Sequence, residues 1–173
     1  MQLRDGFNCR NGDMGSTGSI KANIQFLSYK MDKVDFSATQ NLATLGAQDC
    51  SDFEAEYRFS FRNALRFVGQ PQILYVTGVQ AEVRIKSKIS GAEMGKGIFI
   101  ITGLFSADGV LTKQVEENLI KYQGPALLFP FLRANVSNLL SNFGFCCNPM
   151  PLINVNEAAK SLNLIIEERQ LSN

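Results

Sequence analysis

Ten consecutive residues alternate without a break: Phe53, Ala55, Tyr57, Phe59 and Phe61 fall on one side, Glu54, Glu56, Arg58, Ser60 and Arg62 on the other. A period of two fits no helix and describes an antiparallel strand with one face toward a core and one toward water. Gly69-Gln70-Pro71 ends it, and a second run follows with Ile73, Tyr75, Val79, Ala81, Val83 and Ile85 on one face and Gln80, Glu82, Arg84, Lys86 and Lys88 on the other. After a turn from Ser90 to Gly95, a denser apolar strand is centred on Ile98, Phe99, Ile100 and Ile101. Upstream, Ile20, Ala22, Ile24 and Phe26 slip phase to Leu27, Tyr29 and Met31, the mark of a strand carrying a bulge, which Val34-Asp35-Phe36 extends. Four strands in a meander are predicted, forming one sheet with a single wet face.

Past Asp108-Gly109 the period turns helical. Leu111, Val115, Leu119 and Tyr122 predict a short helix ended by Gly124-Pro125, and Pro125 suits the first turn of a longer helix from Ala126 to Asn142, with Gly144 as its C-cap and Pro130 as a source of a kink. A loop from Phe145 to Ile153 leads to a last helix begun by Asn154 or Asn156. Its stripe is Val155, Ala158, Ala159, Leu162, Ile165 and Ile166, with Glu157 spaced to complete a capping box. Met1 to Ser19, rich in Gly, Asn and Ser, reads as a flexible tail, Ser37 to Asp52 as a long connection, and the residues after 168 as frayed.

Between Tyr122 and Asn156 lie 35 residues with one formal charge, Arg133. The polar positions there are Asn135, Ser137, Asn138, Ser141, Asn142, Asn148 and Asn154. Uncharged polar residues interleaved with Leu and Phe suit a surface covered by another subunit or a ligand. Burial within the chain's own core is the other reading.

Composition narrows the chemistry. The 173 residues hold no His and no Trp, which removes Ser-His-Asp and Cys-His nucleophilic sites, HExxH zinc sites and 2-His-1-carboxylate iron sites. No cofactor and no metal site is expected, and catalysis would rest on carboxylates, Lys or Tyr. Seventeen basic against sixteen acidic residues leave a net charge of +1, too little to hold a nucleic-acid backbone or an anionic membrane. Leu, Ile, Val and Phe total 52 residues, enough for a real core. The longest apolar run, Ala126 to Leu132, is too short to span a bilayer, and the polar start at Met1 to Gly6 carries no secretory leader, so a cytoplasmic protein is expected. The four cysteines, Cys9, Cys50, Cys146 and Cys147, form no CxxC pair and read as reduced thiols. Asp108 near Lys113 and the Glu116-Glu117 pair are the best carboxylate candidates, but adjacent helical residues diverge, so the pair reads as a solvated face. Gly91, Gly95 and Gly97 lack the following Lys-Ser or Lys-Thr of a phosphate loop, and Arg84, Lys86 and Lys88 lack aromatic partners for stacking bases.

The stretch Gly124-Pro125-Ala126-Leu127-Leu128-Phe129-Pro130-Phe131-Leu132-Arg133, continuing to Ser141, resembles the signature helix of SecB, the bacterial protein-export chaperone, where a Pro is followed by Leu-Phe-Pro-aromatic-x-Arg. Phe145, Asn148-Pro149-Met150-Pro151-Leu152 and Val155-Asn156 are similar to that family's loop into its last helix, and the resemblance covers Ile20 to about Glu168. It implies an α+β protomer with a four-stranded antiparallel sheet, a long and a short C-terminal helix, and assembly into a homotetramer as a dimer of dimers. It implies an ATP-independent holdase, not an enzyme, that binds unfolded precursors and hands them to the SecA motor without inserting into a membrane.

On this chain the resemblance makes Ser37 to Asp52 the crossover loop bordering a client groove. The groove walls would be Leu42, Leu45, Phe53, Tyr57, Leu152, Ile153, Leu162 and Ile166. Subunit contacts would come from Leu128, Phe131, Leu132, Val136, Leu139 and Leu140. A holdase of this kind gains roughly 25 cal/mol per Å² of apolar surface covered, plus backbone pairing, with little sequence preference. Where the family presents a carboxylate-rich sheet face, this one alternates Glu54, Glu56, Arg58, Arg62 with Glu82, Arg84, Lys86, Lys88, and Ala134 follows the signature Arg133. The alternative is therefore a SecB-like chaperone dedicated to an antitoxin of a toxin–antitoxin system.

Overall fold

The structure, a computed structural model, describes residues 23–38, 52–68, 72–145, 150–160 and 163–170. The tail at 1–19, the crossover at 39–51, Leu42, Leu45, Leu162 and all four cysteines lie outside the described residues.

Five strands form one sheet in the order β1-β4-β3-β2-β5: β1 (Ile24–Ala38), β2 (Phe53–Val68), β3 (Ile73–Ser87), β4 (Glu93–Ala107) and β5 (Ile166–Gln170). The predicted strands are all present, but only β2-β3-β4 is a meander. β1 pairs antiparallel with β4 on the far side of the sheet from β2, a non-local choice that periodicity does not encode. The phase slip at Phe26-Leu27 is a register shift between Phe26 and Ser28, and a second shift lies between Met31 and Lys33. The alternating faces hold: Val79, Ala81, Val83 and Ile85 of β3 are buried, and so are Met94, Phe99 and Ile101 of β4.

Helices cover the inner face. The short helix, α1 (Lys113–Asn118), does not end at Gly124-Pro125; it widens into a π turn (Leu119–Gln123) and runs on as α2 (Gly124–Asn142). Two local causes act together. Pro125 has no N–H for the α ladder, and Gly124 lets the chain approach β3 so closely that a Cβ there would stand 2.4 Å from Thr77 Cγ2. The Gly124 N–H reaches Leu119 O across the wider turn, and Thr77 Oγ1 donates to Ile120 O at 3.4 Å. At the other end the Gly144 cap is present, with φ +81° and the Phe145 N–H bonded back to Leu140 O.

α2 turns its leucine stripe to the sheet. Leu128, Leu132, Val136 and Leu140 are fully or nearly fully buried within the chain, packed with Val79, Val83, Phe99 and Ile101 of the sheet. Side chains with no accessible surface have none to offer a second subunit. Of the six residues assigned to subunit contacts, Phe131 (36% exposed) and half-buried Leu139 keep an appreciable share of theirs.

The last helix is shorter than its stripe implied. α3 (Val155–Lys160) is capped by Asn154, whose Oδ1 accepts from the Asn156 and Glu157 N–H groups at 3.1 and 3.3 Å; Glu157 pairs with Lys160 at 2.7 Å instead of closing a capping box. Ile165 and Ile166 belong to no helix. Ile166 opens β5, which pairs parallel with Ala64–Val68, extends order to Gln170 and makes the sheet five-stranded rather than four-stranded. Two β-branched residues in sequence suit either period, and the open edge of β2 decides for the strand.

Candidate functional site

The segment after Met150 returns alongside α2 and leaves a groove. Two adjoining cavities of about 330 and 340 Å³ share Phe129, Pro130 and Leu152; Arg133, Ala134 and Ser137 continue one, Ile153 to Asn156 the other. Behind Phe129 the packing is aromatic. Phe129 meets Phe59 of β2 edge-on, centroids 5.4 Å apart, and Phe59 lies parallel to Tyr57 at 6.3 Å. Tyr57, Phe59 and Phe61 stay half-buried because α2 sits over β3 and β4 and only partly over β2. Leu152 stands at the rim, 79% exposed. Among the described residues no strand pairs with the outer edge of β2 from Phe53 to Asn63.

Of the residues expected to wall the groove, Leu152 and Ile153 line these cavities, and Tyr57 lies behind them, stacked on Phe59. Phe53 is core, 3% exposed and edge-on to Phe145, and Ile166 joins a second cluster around Ala64, Tyr75 and Phe105. Phe129 and Pro130 line the cavities and were not among the expected walls.

A second apolar patch lies where β1 crosses α2. Tyr29 and Phe131 stack at 4.2 Å, Phe26 lies 6.4 Å from Phe131, and Leu127 and Val34 are exposed nearby in sequence. The outward positions of α2 remain free of acidic or basic side chains apart from half-buried Arg133.

The water-facing side of the sheet is electrostatically matched. Glu54 faces Lys86, Glu56 faces Arg84 and Arg58 faces Glu82 across β2 and β3, and Lys86 Nζ reaches Glu56 at 2.6 Å. The Lys86 hydrogen bond holds Glu56 below the ordinary carboxylate range. Burial tends to raise Asp32, but hydrogen bonds from Lys30 and Thr102 and the charges of Lys30 and Arg62 outweigh it and hold that carboxyl low as well.

Glu116, expected on a solvated face, is buried. Arg66 reaches its Oε1 at 2.8 Å and also pairs with Glu168 of β5, while the Arg66 Nε is buried without a partner among the described residues. Burial, then the Glu116 carboxylate, pushes Tyr75 up to about 12. Sequence spacing holds no sign of this cluster, since its members come from β2, β3, α1 and β5.

The described elements define an α+β chain of one sheet, a long helix and a groove between that helix and the returning segment, a SecB-like fold. No protein-family model and no curated protein matches the sequence. Among solved structures the fold is similar to the SecB-like chaperone Rv1957 of Mycobacterium tuberculosis, solved in complex with a ChAD peptide from the HigA1 antitoxin Rv1956. The TM-score is 0.57 and the identity 12%, over 76% of this chain and 91% of that one. Among the described residues no helix is long and apolar enough to cross a membrane.

Proposed function

We propose that the chain is a SecB-like, ATP-independent chaperone that holds an extended, unfolded segment of polypeptide in the groove between α2 and residues 150–156. The observation that carries this is the apolar groove that exposed Leu152 forms with Phe129, Pro130 and Ile153, with Phe59 and Tyr57 of β2 packed behind Phe129. That arrangement offers side-chain burial to one extended segment. Holding a chain needs no bond-making group, cofactor or metal.

The client favoured is an antitoxin. The structural neighbour carries an antitoxin peptide, and the matched charges of the outer sheet face offer little to a basic SecA-like partner. General holding of export precursors for SecA is the second reading, supported by the signature helix. Assembly into a homotetramer in the cytoplasm belongs to both, with contacts drawn from Phe131, Tyr29 and Leu127 in place of the buried stripe. Purified protein should suppress aggregation of a reduced, unfolded reporter at stoichiometric ratio; no suppression would end the chaperone reading. Selective binding of an antitoxin over generic unfolded chains would separate the two clients.

A further inference from the structure

β5 is unlike every other strand of this sheet. It is five residues long, is parallel where all other pairs are antiparallel, and exposes Glu167 through Gln170. Its hold on β2 is small and specific. Ile165 O accepts from the Ala64 N–H at 3.0 Å, the Ile165 N–H donates to Asn63 Oδ1 at 3.3 Å, the half-buried Ile166 packs into the cluster around Ala64 and Tyr75, and Glu168 pairs with Arg66. It begins where the β2 register shifts after Arg62, which is also where the open part of the same edge ends.

Arg66 stays in place when β5 is removed, because Glu116 on α1 holds its other terminal nitrogen. The empty edge would thus present a fixed guanidinium, an apolar socket two positions before it and a row of free backbone groups. Short, mostly exposed and tied to β2 by a five-position ladder, one half-buried side chain and one ion pair, β5 has the features of a segment drawn from the low-stability end of a structure. We infer that the edge of β2 from Ala64 to Val68 is a strand-exchange site, in which β5 is a resident occupant. A partner segment displaces it when it offers an apolar residue followed two positions later by Asp or Glu. The inference rests on the chaperone reading for its purpose, since it gives client binding along β2 an internal competitor and a sequence preference.

The probe is a fluorescent peptide copying residues 163–170, added to the full-length chain. Wild-type protein should bind it weakly, because the resident strand competes, and Glu168→Ala protein should bind it about tenfold more tightly as the competitor is weakened. Glu168 is exposed and Arg66 keeps Glu116, so this variant retains its fold. The same peptide with Lys in place of Glu168 should lose at least that gain. Hydrogen exchange of the Ala64–Val68 amides should quicken in the variant and slow again with peptide. Equal binding by both proteins, indifference to the Lys peptide, or amides equally protected in both proteins would each overturn the exchange site. Peptide exchange without any binding of unfolded reporter in the groove would instead remove the chaperone reading and leave the exchange site standing.

Discussion

Phe129 and Phe59 meet edge to face with ring planes 69° apart, and this contact joins α2 to β2 behind the groove. Because Phe129 is also core, at 5% exposed, a change there mixes stability with binding. The rim separates them. Leu152 contributes almost nothing to the folded core, yet covering it with a client would contribute about 1.5–3 kcal/mol. Leu152→Asp should therefore weaken binding of an unfolded reporter by roughly tenfold or more with little change in urea midpoint. Unchanged affinity by fluorescence anisotropy would place the client elsewhere.

The two faces of α2 should respond differently. Leu132 is fully buried against the sheet, so Leu132→Ala should cost about 2–5 kcal/mol in urea unfolding. Phe131 stacks on Tyr29 at the surface, so Phe131→Asp should shift assembly state by native mass spectrometry while the protomer stays folded. Leu139→Asp tests the same face from its half-buried side. A monomeric wild-type protein would contradict the assembly reading outright.

The strands, the first bulge, the Gly144 cap and the Asn154 cap were legible in the sequence because each is a local event. Alternation, a phase slip, a left-handed glycine and an Asn before a helix all act within a few residues. What was hidden is non-local. The place of β1 beside β4 and the docking of Ile166 on Ala64 depend on which edges are open, and the Arg66–Glu116 pair joins residues fifty positions apart. The charge-poor stretch was legible, but which of its residues the core takes was not. Its leucine stripe belongs to the core, and its exposed asparagines, serines and Phe131 are the part that core burial leaves unexplained. Of the groove, Leu152 and Ile153 could be read from the resemblance. Phe129 could not, because a helical Phe beside Pro130 looks the same whether it floors a groove or fills a core.

The π turn should depend on Gly124. An added methyl would meet the stiff, buried Thr77 side chain at 2.4 Å and Leu119 O at 3.0 Å, so neither neighbour yields without moving β3 or the turn. Gly124→Ala should destabilise by about 1–3 kcal/mol despite the better helix propensity of Ala. Gly124→Ala with Thr77→Ser, which removes the clashing methyl, should recover part of the loss in thermal unfolding. A stable single variant would show that α2 tolerates a shift away from the sheet.

Tyr75 sets an alkaline limit. Burial and the Glu116 carboxylate push it up to about 12, against roughly 10 for a free tyrosine. A phenol that keeps its proton more tightly in the folded chain than in the unfolded one contributes stability that is complete below about pH 10. That contribution fades as the pH rises through about 12, where the folded phenol ionises too. Other tyrosines titrate in the same range, so the difference between wild type and Tyr75→Phe isolates the buried one. Urea unfolding across this range should show the wild-type advantage shrinking steadily from about pH 10 upward. A difference that stays level with pH would mean that the Tyr75 hydroxyl is reached by solvent in the folded chain, and that α1 does not seal the cluster that anchors Arg66.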